Sequence, residues 1–122
     1  MMKPGLYCCI RNYQSPYPES ILFQAGEVVA VGDIYNRNPE WQNWIRCQGE
    51  DGKEAWVPLQ FLQVTGNQGI ILRSYDAREL TISENEFLQI AEIINGFGMA
   101  ENQVGERGWV PLNHLVLAEC GD

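Results

Sequence analysis

Apolar and polar residues alternate along this chain in short runs, broken by Gly, Pro, Asn and Asp at close intervals. Alternation at period two with β-branched and aromatic residues predicts half-buried strands rather than helices. In the first half the predicted strands are Tyr7–Ile10, Glu27–Val31, Trp44–Cys47 and Ala55–Val57. In the second they are Ile70–Leu72, Phe87–Ile90, Phe97–Glu101 and Gly108–Val110. The two prolines in residues 12–20 exclude a helix there and predict a long, exposed, hairpin-like loop. Gly26 is placed to make a tight turn, residues 33–43 read as a second loop, and Gly49-Glu50-Asp51-Gly52 and residues 102–106 read as hairpin tips.

The order of these elements occurs twice. Glu54-Ala55-Trp56-Val57-Pro58-Leu59 returns almost unchanged as Arg107-Gly108-Trp109-Val110-Pro111-Leu112, with Trp56 and Trp109 separated by 53 residues. A period of this size means one small unit made twice. The expected domains are residues 1–65 and 69–119, the second with shorter loops, joined by the polar junction Val64–Gly69. Matching Gly26 to Asn85 leaves extra residues in the first copy, and they fall in the loop carrying Asn36-Arg37-Asn38-Pro39. The expected fold class is all-β, two small five-stranded antiparallel barrels, each near the lower size limit for folding without disulfide or metal.

Composition narrows the function classes. The chain has 122 residues, 45% of them hydrophobic and 20% charged, which fits a globular protein and neither a disordered nor a membrane-embedded one. The net charge is −8, and the acidic excess is concentrated in the second half. Such a surface repels phosphate backbones, so nucleic acid is not an expected partner, and a basic partner is favoured. No apolar run reaches transmembrane length, and the first residues lack a signal-peptide core, so a cytoplasmic protein without membrane contact is expected. Cys8, Cys9, Cys47 and Cys120 lack metal-ligand spacing; Cys9 and Cys47 are expected as small core residues, and no metal or other cofactor is expected.

The order of segments resembles a Src-homology-3 (SH3) domain. Cys9-Ile10-Arg11-Asn12-Tyr13 stands where that family has its opening Ala-Leu-Tyr-Asp-Tyr motif, and Ile21-Leu22-Phe23-Gln24-Ala25-Gly26-Glu27 matches its diverging turn. Trp44-Ile45 matches the tryptophan pair, and Trp56-Val57-Pro58-Leu59-Gln60-Phe61-Leu62 the closing segment. In the second copy Glu79–Glu86 matches the diverging turn, Phe97-Gly98 replaces the tryptophan pair, and Gly108–Leu115 closes the barrel. The tandem form is similar to the variant SH3 proteins of bacteria.

What the resemblance implies is recognition of a proline-containing peptide, whose preformed polyproline helix docks between flat aromatic side chains. Carried over residue by residue, the first copy's groove comprises Tyr13, Trp44, Pro58 and Phe61, with Tyr17 and Glu19 from the long loop. Arg11 stands where the family has its first groove tyrosine, and Gln60 where it has an asparagine. The second copy offers Tyr75, Phe97, Pro111, Asn113 and His114, with Glu79, Glu84 and Asp76 as candidates for an acidic pocket that pairs with Arg or Lys. The first copy is expected to carry the better groove.

Each candidate also has a plainer role. Trp56 and Trp109 are expected in the core or at an interface, and Trp41 either covers neighbouring structure or anchors a ligand. The groove of Tyr13, Trp44, Pro58 and Phe61 is either open or filled from within. His114 is the single histidine and has no partner at catalytic spacing, so no enzyme is expected. Three functions therefore stand: a module, monomer or homodimer, binding proline-containing and basic protein segments; a structural pair of barrels with closed grooves; and a cell-wall module binding peptidoglycan. An open groove favours the first and a buried one the second.

Overall fold

The computed structural model describes residues 3–118, so Cys120 and the last residue of the second expected domain lie outside the described residues. Twelve strands follow in order: β1 (Gly5–Cys9), β2 (Leu22–Phe23), β3 (Val28–Ile34), β4 (Trp44–Gln48), β5 (Glu54–Pro58), β6 (Leu62–Thr65), β7 (Gln68–Ile71), β8 (Tyr75–Asp76), β9 (Phe87–Ile94), β10 (Phe97–Glu101), β11 (Arg107–Pro111) and β12 (Leu115–Leu117). Two short 3-10 turns, Leu59–Phe61 and Leu112–His114, follow the two Val-Pro segments. All-β architecture is therefore as expected, and every predicted strand is present to within a few residues.

Ten of the strands assemble into two five-stranded antiparallel sheets, ordered β5-β4-β3-β7-β6 and β11-β10-β9-β1-β12, and β2 and β8 form a separate antiparallel pair. Neither sheet is built from one sequence copy alone. The first takes β7 from the second copy, and the second takes β1 from the first. The chain accordingly divides into a continuous unit, Ser20–Ala77, and a discontinuous unit, Met1–Glu19 with Arg78–Asp122. The expected boundaries at 1–65 and 69–119 do not coincide with these units.

The local cause lies in the segment expected to be a linker. Thr65 pairs directly with Gln68, so Gly66 and Asn67 alone make the turn, and Gly66 adopts φ +63°, a conformation that disfavours most L residues. A turn this short makes β6 and β7 antiparallel neighbours at almost no loop-closure cost. On its other edge β7 pairs with β3, Val28 opposite Ile70. β1 instead lies between β9 and β12, with Cys8 opposite both Phe87 and Val116.

The remaining turns follow the sequence. Gly26 (φ +91°) and Asn85 (φ +72°) both take left-handed conformations beside the turns closed by the Glu27 and Glu86 amides, which donate to Gln24 and Ser83 carbonyls. The extra residues of the first copy lie between β3 and β4. The equivalent connection between β9 and β10 is the two-residue turn Asn95-Gly96, both at positive φ, with Ile94 opposite Phe97.

Alternation sorts each strand into an inner and an outer face. In the discontinuous unit Tyr7, Cys9, Leu80, Ile82, Leu88, Ile90, Ala100, Val110, Leu112 and Leu115 form one buried cluster. In the continuous unit Phe23, Val29, Ile45, Cys47, Val57, Leu62 and Ile71 are buried. Cys9 and Cys47 thus occupy the core positions expected of them. Cys8, Cys9 and Cys47 are free thiols, and burial pushes the Cys47 thiol up to about 11, leaving it protonated and unreactive at neutral pH.

Two tests follow from this connectivity. A fragment of residues 20–77 is expected to fold cooperatively by itself, whereas residues 1–65, which keep the sequence repeat but lose β7, are expected to show no cooperative unfolding by circular dichroism. The opposite result would assign the strands as the repeat does. Gly108→Ala places a Cβ 2.9 Å from Leu80 Cγ and 3.0 Å from the Glu79 carbonyl carbon, so the 79–80 backbone has to move. The expected loss is about 1–3 kcal/mol in denaturant unfolding.

Candidate functional site

In the discontinuous unit two arms run side by side. The Tyr13 amide donates to the Ile82 carbonyl at 2.9 Å and the Ile82 amide returns the bond at 3.0 Å. Further along, the Glu79 amide donates to the Tyr17 carbonyl at 2.9 Å. The second arm is held on its other side by β11: Leu80 donates to Trp109, and Trp109 donates to Arg78. Gly108 permits that approach because any Cβ there would meet the arm's backbone.

This ladder sets two hydroxyl groups against one carboxyl group. The Tyr13 hydroxyl donates to Glu79 Oε1 at 2.7 Å, and the Ser15 hydroxyl reaches the same oxygen at 3.4 Å. Ser15 is itself buried; its amide donates to Thr81 Oγ1, and its Oγ accepts from the Tyr17 amide. Burial of Glu79 pushes its pKa up to about 7, against the two hydrogen bonds that favour the anion. The carboxyl group is thus near half-ionised at neutrality.

The 3-10 turn after Pro111 brings His114 to the same strip. Its ring meets Tyr13 edge-on, with centroids 5.3 Å apart and planes at 78°. Its Nδ1 lies 3.1 Å from the Arg11 carbonyl oxygen; that oxygen only accepts, so Nδ1 carries the proton of this contact. The Arg11 guanidinium donates to the Asn113 carbonyl at 2.9 Å. Along the strip the order is Arg11, His114, Tyr13, Glu79. Tyr13, Glu79, Asn113 and His114 are half-buried and Arg11, Tyr17 and Glu19 are exposed. Phe97 and Pro111, expected beside them, are buried.

The continuous unit repeats part of this pattern in closed form. Phe61 and Tyr75 meet edge-on with centroids 5.5 Å apart and planes at 68°, and the Arg73 guanidinium lies 4.2 Å from the Phe61 ring centre. Here Trp44, Pro58, Phe61 and Tyr75 are all buried. Asp76 accepts from the Ser20 hydroxyl at 2.6 Å and from the Ile21 amide at 3.2 Å, which commits it to holding the strand pair β2–β8. Expected groove residues therefore divide differently from the sequence copies: Tyr13 and Tyr17 share a unit with Glu79, Asn113 and His114, while Trp44, Pro58 and Phe61 share one with Tyr75.

Residues 6–65 match the family model of the variant SH3 domain. The chain is an SH3-like domain protein. No curated protein and no solved structure matches it. The matched stretch of this SH3-like protein begins in β1 and ends in β6, so the family's linear order is met by a segment that the fold shares between two units. Among the described residues no helix is long and apolar enough to cross a membrane.

Sequence reasoning found Tyr13, Glu79 and His114 singly but put Tyr13 in a groove with Trp44, Pro58 and Phe61. It did not find Ser15, or the contact of Arg73 with Phe61. A signal for the latter was present, because Arg11-Asn12-Tyr13 recurs as Arg73-Ser74-Tyr75. Trp56, expected in the core or at an interface, is half-buried against Tyr35, at 5.3 Å, and Arg46, at 5.6 Å, whereas Trp109 is buried.

The Glu79 site makes stability depend on pH. A carboxyl group whose pKa is higher folded than unfolded favours the folded state while protonated. Its contribution is therefore complete below about pH 4.5 and falls as pH rises towards 7, levelling off above. The loss across that window is on the order of 3 kcal/mol. Glu79→Gln, which keeps an oxygen for Tyr13, is expected to remove this decline and to raise the urea midpoint at pH 8. An unchanged pH profile would place the ionisation elsewhere.

Proposed function

We propose that this SH3-like protein is a non-enzymatic protein–protein interaction module, and that its strip on the discontinuous unit takes an extended, proline-containing, basic peptide segment. The observation that carries the reading is the half-exposed edge-on pair of Tyr13 and His114 with the Glu79 carboxyl group bonded to one end of it. Flat aromatic rims accept the ridges of a polyproline helix, and both hydrogen bonds to Glu79 land on Oε1, so Oε2 is the oxygen for a ligand ammonium or guanidinium. Tyr17 and Glu19 lie on the same arm beyond Ser15 and extend the strip. The area is small, so binding is weak and reversible.

A structural role is favoured for the continuous unit by the burial of Trp44, Phe61 and Tyr75, the residues that an open groove would present. The proposal accordingly assigns recognition to the 1–19 and 78–122 unit and not to the groove of the first sequence copy.

The test is a titration of the intact protein with decapeptides of the form Arg-x-x-Pro-x-x-Pro, read by backbone and side-chain NMR shifts. Saturable shifts are expected at Tyr13, Tyr17, Asn113 and His114, and His114→Ala is expected to weaken binding about five- to tenfold. A bound cation stabilises the ionised carboxylate, so affinity is expected to rise between pH 6 and pH 8 and to lose that dependence in Glu79→Gln. Absence of shifts at millimolar peptide would make both units structural.

A further inference from the structure

The strip is polar at both ends, and the two ends are opposite in sign. Glu79 closes one end through its bond to Tyr13. Arg11 closes the other, beside His114, where its exposed guanidinium spends one hydrogen bond on the Asn113 carbonyl. A guanidinium has five N–H donors in a flat fork, so a single bond to a backbone carbonyl steers it while leaving donors directed to solvent. The His114 ring is fixed by its Nδ1 bond to the Arg11 carbonyl, which leaves Nε2 for a ligand.

The placement of the arginine is not confined to one unit. In each, an arginine stands two residues before a tyrosine, and that tyrosine meets edge-on the aromatic ring that follows the Val-Pro segment: Arg11, Tyr13 and His114 in one, Arg73, Tyr75 and Phe61 in the other. Arg73 lies against the face of its aromatic ring. A cation at this position is thus built into the geometry of the site, and it disfavours a ligand that is basic along its whole length.

We infer that the strip reads its peptide in one direction: an acidic residue of the bound segment meets Arg11 and His114, and a basic residue meets Glu79. This rests on the peptide-binding reading above and adds a second charge and a polarity to it. An extended proline-containing segment is close to symmetric end to end, because its ridges and carbonyls look alike read either way. Charges of opposite sign at the two ends of the groove remove that ambiguity. The wrong orientation juxtaposes like charges at both ends, whereas the right one pairs both. Since Arg11 is exposed, its contribution is modest, and it acts on orientation and selectivity more than on total affinity.

The test uses the intact protein and fluorescein-labelled decapeptides with one proline-containing core. One carries Arg at one end and Glu at the other, a second exchanges those two residues, and a third replaces Glu with Gln. Anisotropy is read at low and high salt. One of the two charged arrangements is expected to bind more tightly than the other, and replacing its Glu with Gln is expected to weaken binding about three- to fivefold at low salt, less at high salt. Arg11→Gln is expected to abolish the Glu-over-Gln preference while the Arg end still binds; Arg11→Lys is expected to keep it. The Tyr13 and His114 ring shifts check that the strip is intact in both variants. Binding of all three peptides with equal affinity, or a Glu preference that survives Arg11→Gln, would overturn the inference and leave peptide recognition standing. If none of the peptides binds at millimolar concentration, both readings are overturned.

Discussion

The two-residue turn at Gly66 and Asn67 decides how this chain is partitioned. It holds β6 and β7 as direct neighbours, Thr65 opposite Gln68, and so fills the place beside β6 that a strand from the start of the first copy would otherwise take. With β7 also paired to β3, the sheet built around residues 28–71 is complete at five strands without β1. β1 then forms its ladders with β9 and β12, far along the chain. A contact between near neighbours in sequence forms at small entropic cost, and the long-range pairings are arranged around it. The result is a continuous unit whose own ends lie at residues 20 and 77, set into the course of a discontinuous one.

That partition also redistributes the side chains with the potential to bind. The chain passes between units after residue 19 and again after residue 77, which is inside the segments that carry Tyr13 and Tyr75 towards their respective partners. Each tyrosine therefore meets the closing segment of the other sequence copy: Tyr13 meets His114, and Tyr75 meets Phe61. The outcomes differ with the residue supplied. Phe61 is fully apolar and is buried with Tyr75. His114 has two ring nitrogens that need partners, and it stays half-exposed with one of them bonded to the Arg11 carbonyl. Burial of a polar ring without hydrogen bonds would cost more than its packing returns.

Much of the local structure was legible because it rests on local chemistry. Strand positions followed from alternation, and Gly26 and Asn85 were recognisable as equivalent turn residues because both positions require positive φ. The core roles of Cys9 and Cys47 followed from their lack of metal-ligand spacing and the small apolar character of a free thiol. The exchange of β1 and β7 was not legible from the repeat, since a repeat says which segments are equivalent and not which ones pair. Its signal lay in spacing: between Leu62-Gln63-Val64-Thr65 and Gln68-Gly69-Ile70-Ile71 only Gly66-Asn67 intervene, and that is hairpin spacing, too short for a linker between domains. The groove of Tyr13, Trp44, Pro58 and Phe61 was assembled on the assumption that each copy folds upon itself, whereas Tyr13 belongs to the discontinuous unit and the other three to the continuous one.

Glu79 shows how the exchange and the chemistry are connected. Its backbone is clamped between Tyr17 on one side and β11 on the other. Tyr13 and Ser15, which hydrogen-bond to it, come from the segment before residue 20, and Glu79 from the segment after residue 77. The site therefore exists only when these two distant stretches are joined. Burial raises the carboxyl group's pKa, and two hydroxyl donors keep the ionised form accessible near neutral pH. A permanently charged and solvated carboxylate would bind cations indifferently, and a fully buried one would stay neutral. In the proposed peptide-binding role, Glu79, about half-ionised at neutral pH, takes on the remainder of its charge as a cationic group binds.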